Sequence, residues 1–215
     1  MQRSFDAEVL DGDAAPAELV ERAHRGLSLA HSLLGNKAAI VRALVRDPVP
    51  VRRVLDVGCG HGSLLLHVER RLGVEGVGMD LRAIRSGASP RSILRGDAVR
   101  DRLPMADVAV SVCLAHHLRD DQLVALVRNV GRSCRRFVIL DLVRHRLPLA
   151  LFRTFAPLFL PGVNVSDGCL SIRRAYTPGE FRTLIGRALA GTGATFSHTV
   201  APLYIRQVVD ITYRS

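Results

Sequence analysis

The sequence predicts an α/β domain: a seven-stranded, mostly parallel sheet with helices on both faces, finished by an antiparallel C-terminal strand. Three observations predict it. Short apolar runs alternate with amphipathic segments between residues 51 and 142. A turn with glycines at alternate positions, Gly58-Cys59-Gly60-His61-Gly62, joins the first run to the first of those helices. Acidic residues close or follow the runs at Asp56, Asp80, Asp97 and Asp141, where ligands sit in such sheets.

Residues 1–50 read as helical. Apolar periodicity begins at Ala17 after Pro16, continues from Leu27 to Leu34, meets a break at Gly35-Asn36 and resumes over 37–45. Pro48 and Pro50 end it. Residues 51–57 form the first strand, 63–72 a helix and 73–79 the second strand. Residues 83–88 make a short, poor helix broken by Gly87 and Pro90, and 92–94 a third strand ending at Gly96-Asp97. The fourth strand spans 106–113, an amphipathic helix 120–134, and the fifth strand 136–142. Thr177-Pro178-Gly179-Glu180 is a helix start, with Thr177 as cap and Pro178 in the first position, and that helix runs to about residue 190. Residues 195–200 and 205–211 pair antiparallel. The chain therefore reads as one domain: an N-terminal helical cover (1–50), a core (51–144), an apolar insertion (145–176), and a C-terminal helix with a strand pair (177–215).

Composition narrows the class. A chain of 215 residues with 48% hydrophobic content and a mean hydropathy of +0.18 is long and apolar enough to bury a full core. No apolar run reaches the roughly 18 residues of a transmembrane helix, and Met1 to Asp6 do not look like a signal peptide. Cys59, Cys113, Cys134 and Cys169 lack CxxC spacing, which argues against a zinc site and suits a reducing cytoplasm. The formal charge of +10 can signal a polyanionic partner. Lys37 is the only lysine, however, and the arginines are spread along the whole chain, so a coding preference for arginine is the plainer account.

The glycine turn carries the strongest chemical signal. Glycines let the backbone bend sharply and let a ligand approach it. Position 63 is serine, which departs from the GxGxxG of dinucleotide loops. Val54-Leu55-Asp56-Val57-Gly58-Cys59-Gly60-His61-Gly62 resembles the first motif of the class I S-adenosylmethionine (SAM)-dependent methyltransferases, whose fold is Rossmann-like. The resemblance implies SAM as cofactor. Gly58, Cys59, Gly60 and Gly62 would pass its methionine portion, and Asp56 would accept a hydrogen bond relayed from its ammonium group. Asp80, in Gly76-Val77-Gly78-Met79-Asp80-Leu81, has acceptor lone pairs for both ribose hydroxyls, with Leu81 beside it; a capping aspartate is the alternative. Asp97-Ala98 resembles the acid and small residue that hold the adenine amino group in this family; a turn aspartate is the alternative. Cys113, where the fourth strand ends, completes the expected cofactor set.

His116-His117 follow that strand, where this family brings the methyl group to its acceptor. Neither the Asn/Asp-Pro-Pro-aromatic motif of nucleic-acid nitrogen methylation nor a Pro-Cys nucleophile stands there; the segment resembles the small-molecule branch. A histidine titrates in the range needed to take a proton from a hydroxyl acceptor, so His116 and His117 are the candidate catalytic residues. One of them capping the next helix is the bland reading. Asp141 and Arg144 can face the acceptor or pair with each other. The insertion, rich in leucine and phenylalanine, can roof an acceptor pocket, form a dimer face or meet a membrane surface. Arg144, Phe155, Phe159, Arg174 and Tyr176 are the candidate acceptor contacts. Asp167 to Tyr176 resembles a segment of bacterial small-molecule methyltransferases, some of them encoded beside polyketide genes.

The expectation is a cytoplasmic SAM-dependent methyltransferase of a small phenolic or apolar metabolite, O-methylating by preference, with C-methylation open. No metal and no nucleic-acid partner are expected, and the assembly is a monomer or homodimer. An RNA methyltransferase and a non-catalytic SAM-binding partner subunit are the rival readings.

Overall fold

The computed structural model describes residues 1–6, 35–82 and 93–214. The periodic helix expected over 17–34 and the short helix over 83–88 lie outside the described residues. The described strands are β1 (Arg53–Val57), β2 (Glu75–Asp80), β3 (Ile93–Arg95), β4 (Val108–Val112), β5 (Arg136–Asp141), β6 (Thr195–Val200) and β7 (Gln207–Thr212). They form one sheet in the order β3-β2-β1-β4-β5-β7-β6. The first five run parallel, and β7 pairs antiparallel with both β5 and β6. The strand order reverses between β1 and β4, the place where ligands bind in such sheets.

Six helices are described: α1 (Asn36–Val45), α2 (Ser63–Leu72), α3 (Asp120–Val130), α4 (Arg146–Phe155), α5 (Gly162–Arg174) and α6 (Pro178–Leu189). The break expected at Gly35-Asn36 is the start of α1, where Gly35 takes a φ of 67°. Thr177 and Glu180 cap α6 reciprocally, as the sequence predicts. Helix α3 stops four residues short of the predicted end. Residues 131–134 curl instead, with the Ser133 and Cys134 amides donating to the Val130 carbonyl. A Cβ on Gly131 would stand 2.6 Å from the Tyr213 ring, so only glycine admits that ring.

Alternate residues of each central strand serve opposite faces. Leu55, Val77, Phe137 and Ile139 pack against α3 and α6, through Leu123, Val127, Phe181 and Ile185. Val54, Val110, Val138 and Leu140 pack against α1 and α2, through Ile40, Leu44, Leu64 and Val68. The insertion over 145–176 consists of α4 and α5 joined through a 3-10 turn, Ala156–Leu158. The Phe152 ring fills the space over Gly168, where a Cβ would come within 2.5 Å of it.

Ion pairs close the N-terminal end of the sheet. Arg136, at the start of β5, donates to both oxygens of Asp210 at 2.8 and 2.6 Å and to Asp47 at 2.8 Å. Asp47 also accepts from Arg135 at 2.8 Å and from the Val49 amide at 2.9 Å. Its carboxyl is buried, which by itself would raise its pKa. The Arg136 and Arg135 bonds outweigh burial and hold it below the usual carboxylate range. Asp47→Ala should destabilise the fold by about 3 kcal/mol, because it strips partners from two arginines. Urea unfolding should show a lower midpoint with an unchanged slope.

Candidate active site

The glycine turn leaves β1 at the switch point. Gly58, Gly60 and Gly62 have φ values of 74°, 52° and 72°. Three left-handed residues at alternate positions explain why glycine stands at each. The Gly58 amide donates to the Met79 carbonyl at 2.8 Å, which stitches the turn to β2. The Gly60 amide donates to Asp80 Oδ2 at 2.8 Å, and the Arg82 amide to Asp80 Oδ1 at 2.9 Å. Asp80 therefore holds the turn and keeps lone pairs to spare, since a carboxylate offers about four acceptor sites.

Asp56 lies opposite Gly78 in the β1–β2 register. The missing side chain at Gly78 leaves room for Cys59 Sγ, which a Cβ there would approach to 2.6 Å. Asp56 is 2% exposed, and its Oδ2 has no hydrogen-bond partner among the described residues. Burial, and then the Asp80 charge, push its pKa up to about 7. A buried carboxylate oxygen without a donor is costly and calls for an occupant. Burial and the two aspartates also push the Cys59 thiol well up, so it is not a nucleophile at neutral pH.

After β3, Asp97 Oδ1 accepts from the Val99 amide at 2.9 Å, and the Asp97 amide donates to Asp101 at 2.7 Å. The Ala98 carbonyl accepts from Asn129 at 2.9 Å. Asp97 thus organises the turn after β3. Leu81 stands exposed just beyond β2.

On the other side of the switch point, β4 ends and Cys113 adopts a φ of 56°. A left-handed non-glycine residue stores about 1–3 kcal/mol of strain and persists only where its surroundings enforce it. Its amide donates to the Leu140 carbonyl at 2.9 Å. The bend sends Leu114 onto the glycine turn: a Cβ on Gly58 would stand 3.0 Å from the Leu114 side chain. The 3-10 turn Ala115–His117 follows. His116 is buried, with Nδ1 2.7 Å from Asp141 Oδ1, and its backbone amide donates to Asp141 Oδ2 at 3.0 Å. Burial works to raise the Asp141 pKa, but His116 and the flanking amides prevail and hold it below the carboxylate range. The ring of His117 lies 4.2 Å from that of His116.

Asp141 therefore pairs with His116 and not with Arg144. Arg144 is buried: Nε donates to the Ala175 carbonyl at 3.0 Å, Nη1 to the Met1 carbonyl at 2.6 Å, and Nη2 to Glu180. Tyr176 is buried as well. Its hydroxyl donates to the Leu118 carbonyl at 2.9 Å, and its ring lies between the Arg3 guanidinium (3.7 Å) and Phe181 (5.6 Å). Both residues differ from the expected acceptor contacts, because their polar groups satisfy carbonyls and a carboxylate of the fold. Arg144 instead ties the end of the insertion to α6, and Tyr176 braces the histidine turn. So does Arg3, unflagged in the sequence, which donates to the Leu118 carbonyl at 2.8 Å. Arg174 donates to the Asp6 carbonyl at 3.3 Å. Phe155 and Phe159 stand on the outer surface of the insertion. The pairing of Asp141 with His116 was findable from strand adjacency, since Val112 and Leu140 are register partners and both residues lie just beyond them.

The raised Asp56 pKa fixes a pH dependence. In the folded, ligand-free chain Asp56 keeps its proton to about pH 7, whereas an unfolded carboxyl loses it near about pH 4. Stability should fall as pH rises through that window, by about 3 kcal/mol. Denaturation of Asp56→Asn across the same range should lack that slope.

No protein-family model matches the chain. A 112-residue stretch is 31% identical to indolepyruvate C-methyltransferase of Streptomyces griseus, covering 44% of this chain and 34% of that protein. The chain thus spans about a third of the curated relative it matches. Among solved structures, the plantazolicin methyltransferase BamL, in complex with a triazolic desmethylPZN analog and SAH, superposes with a TM-score of 0.72 at 13% identity, over 92% of this chain and 91% of that one. Human N-acetylserotonin methyltransferase in complex with SAM superposes with a TM-score of 0.64 at 15% identity, over all of this chain and 63% of that one. The glycine turn, the two aspartates beside it, the strand order and these superpositions together establish that the chain has the Rossmann-like fold of the class I SAM-dependent methyltransferases.

Proposed function

We propose that the chain is a SAM-dependent methyltransferase of a small organic acceptor, phenolic or apolar, with O-methylation favoured. One observation carries the reading. Leu114, in the histidine loop, rests on Gly58, in the glycine turn, so the buried His116–Asp141 pair stands beside the carboxylate-lined turn. The residues present suit the cofactor. Asp56 offers an unpartnered buried oxygen to a cationic group, Asp80 has spare lone pairs for the ribose hydroxyls, and the left-handed glycines carry no side chains over the approach. Gly58, Cys59, Gly60, Gly62, Leu81, Asp97, Ala98 and Cys113 complete the proposed set. When bound, SAM supplies an electrophilic methyl group on a sulfonium.

The chain's own work is alignment and proton removal. His116 accepts the acceptor's hydroxyl proton on Nε2. Asp141, held ionised, keeps the other proton on Nδ1 and balances the imidazolium that forms. His116 is preferred to His117 because a buried carboxylate orients it. The name of the curated relative favours C-methylation as a second reading, in which the same imidazole takes a proton from carbon. The arginines weigh against an RNA acceptor: Arg3, Arg135, Arg136 and Arg144 are spent on internal ties. An ordered histidine–carboxylate pair likewise weighs against a non-catalytic subunit.

Asp80→Ala should weaken SAM binding at least about tenfold, since each charge-assisted bond is worth about 1.5–3 kcal/mol; titration calorimetry on the folded variant reads this. His116→Ala should lower kcat about 100-fold or more with SAM affinity unchanged. An undiminished kcat would remove His116 as the base. Methyl-labelled SAM incubated with a cell lysate tests the acceptor class. Enzyme-dependent label in the organic fraction supports the reading, and label in nucleic acid sinks it.

A further inference from the structure

The insertion ends α4 in an apolar tip. Phe155, Leu158 and Phe159 are 55%, 70% and 70% exposed, and follow one another through the 3-10 turn Ala156–Leu158. Large apolar side chains exposed together on one contiguous segment mark an interaction surface. Helix α4 is anchored behind the tip. Phe152 packs over Gly168, and the His145 ring stacks on Tyr204 at 4.3 Å.

Charge says what the tip meets. Residues 142–166 contain no aspartate or glutamate. Arg146 and Arg153 stand exposed on α4, seven residues apart and so on one stripe of the helix. Arg173 of α5 also stands exposed, and like Arg153 it lies within electrostatic reach of Cys169. An exposed apolar tip on a segment that carries arginines and no acid suits the boundary between anionic headgroups and acyl chains. A second copy of the chain suits it less well, because a two-fold contact would set arginines against arginines.

We propose that this tip docks the protein on an anionic phospholipid surface. Helix α5 of the same insertion packs against the histidine turn, so the docked face and the acceptor side share one helix pair. An acceptor dissolved in a bilayer would be delivered to that side. The docking does not depend on the methyl-transfer reading, and its test needs no activity.

Sedimentation with vesicles of phosphatidylcholine, with and without phosphatidylglycerol, is the experiment. The protein should pellet with the anionic vesicles at low salt and less at high salt. Phe155→Ser/Leu158→Ser/Phe159→Ser and, separately, Arg146→Gln/Arg153→Gln should each bind about tenfold more weakly or worse, with unchanged thermal midpoints. Failure to pellet with anionic vesicles, or undiminished binding by the triple-serine variant, would overturn the proposal. So would a dimer in light scattering that the triple-serine variant converts to monomer, since the tip would then belong to a second copy.

Discussion

The site is organised around the buried carboxylate of Asp141. A charge in that position is tolerated only while donors surround it, and three converge: the His116 ring, the His116 amide and the Leu142 amide. Two of them come from the loop after β4. The carboxylate therefore dictates where that loop lies as well as how the imidazole points. The strain at Cys113 is the conformational cost of reaching it. Leu114, carried by the same bend, then touches the glycine turn, so one ion on β5 sets the spacing between the two halves of the site.

The closed network at the N-terminal end of the sheet contrasts with the glycine turn at the other end. At the N-terminal end every buried charge has its counterpart within the fold, as in the chain from Asp210 through Arg136 to Asp47 and Arg135. At the glycine turn, Asp56 and Asp80 crowd together with no cation paired to either among the described residues, and Asp56 is pushed toward neutrality. A closed network makes scaffold; an unbalanced one makes a receptor. The contrast separates the aspartates that support the domain from those we assign to the cofactor, although in sequence all of them merely sit near strand ends.

What could be read in the sequence follows from how local its cause is. Glycines at 58, 60 and 62 are dictated by backbone dihedrals, and the capping box at Thr177 by neighbouring amides, so each showed in a few consecutive letters. The strand and helix alternation, the sheet's parallel core and its antiparallel closing strand were legible for the same reason. Arg144 and Tyr176 were misplaced because the direction of a long side chain depends on which carbonyls the tertiary fold leaves unsatisfied. Arg3 escaped notice because it brackets a loop more than a hundred residues away. The exposure of Phe155 and Phe159 was hidden too, since an apolar stretch reads alike whether it lines a pocket or faces outward.

The sheet's order also has a consequence for how the chain is made. Strand β5 is buried along its whole length, yet the neighbour on its outer side is β7, the last strand to be synthesised. Between the emergence of residue 141 and that of residue 207, the nascent chain carries an open, apolar edge of the kind that recruits other strands. Helix α6 can cover one face in that interval, but no helix can satisfy the edge's amides and carbonyls. Completion must wait for a long-range pairing, which slows folding. A ribosome stalled in this stretch would hold out a half-built sheet, and holdase chaperones would find their client there.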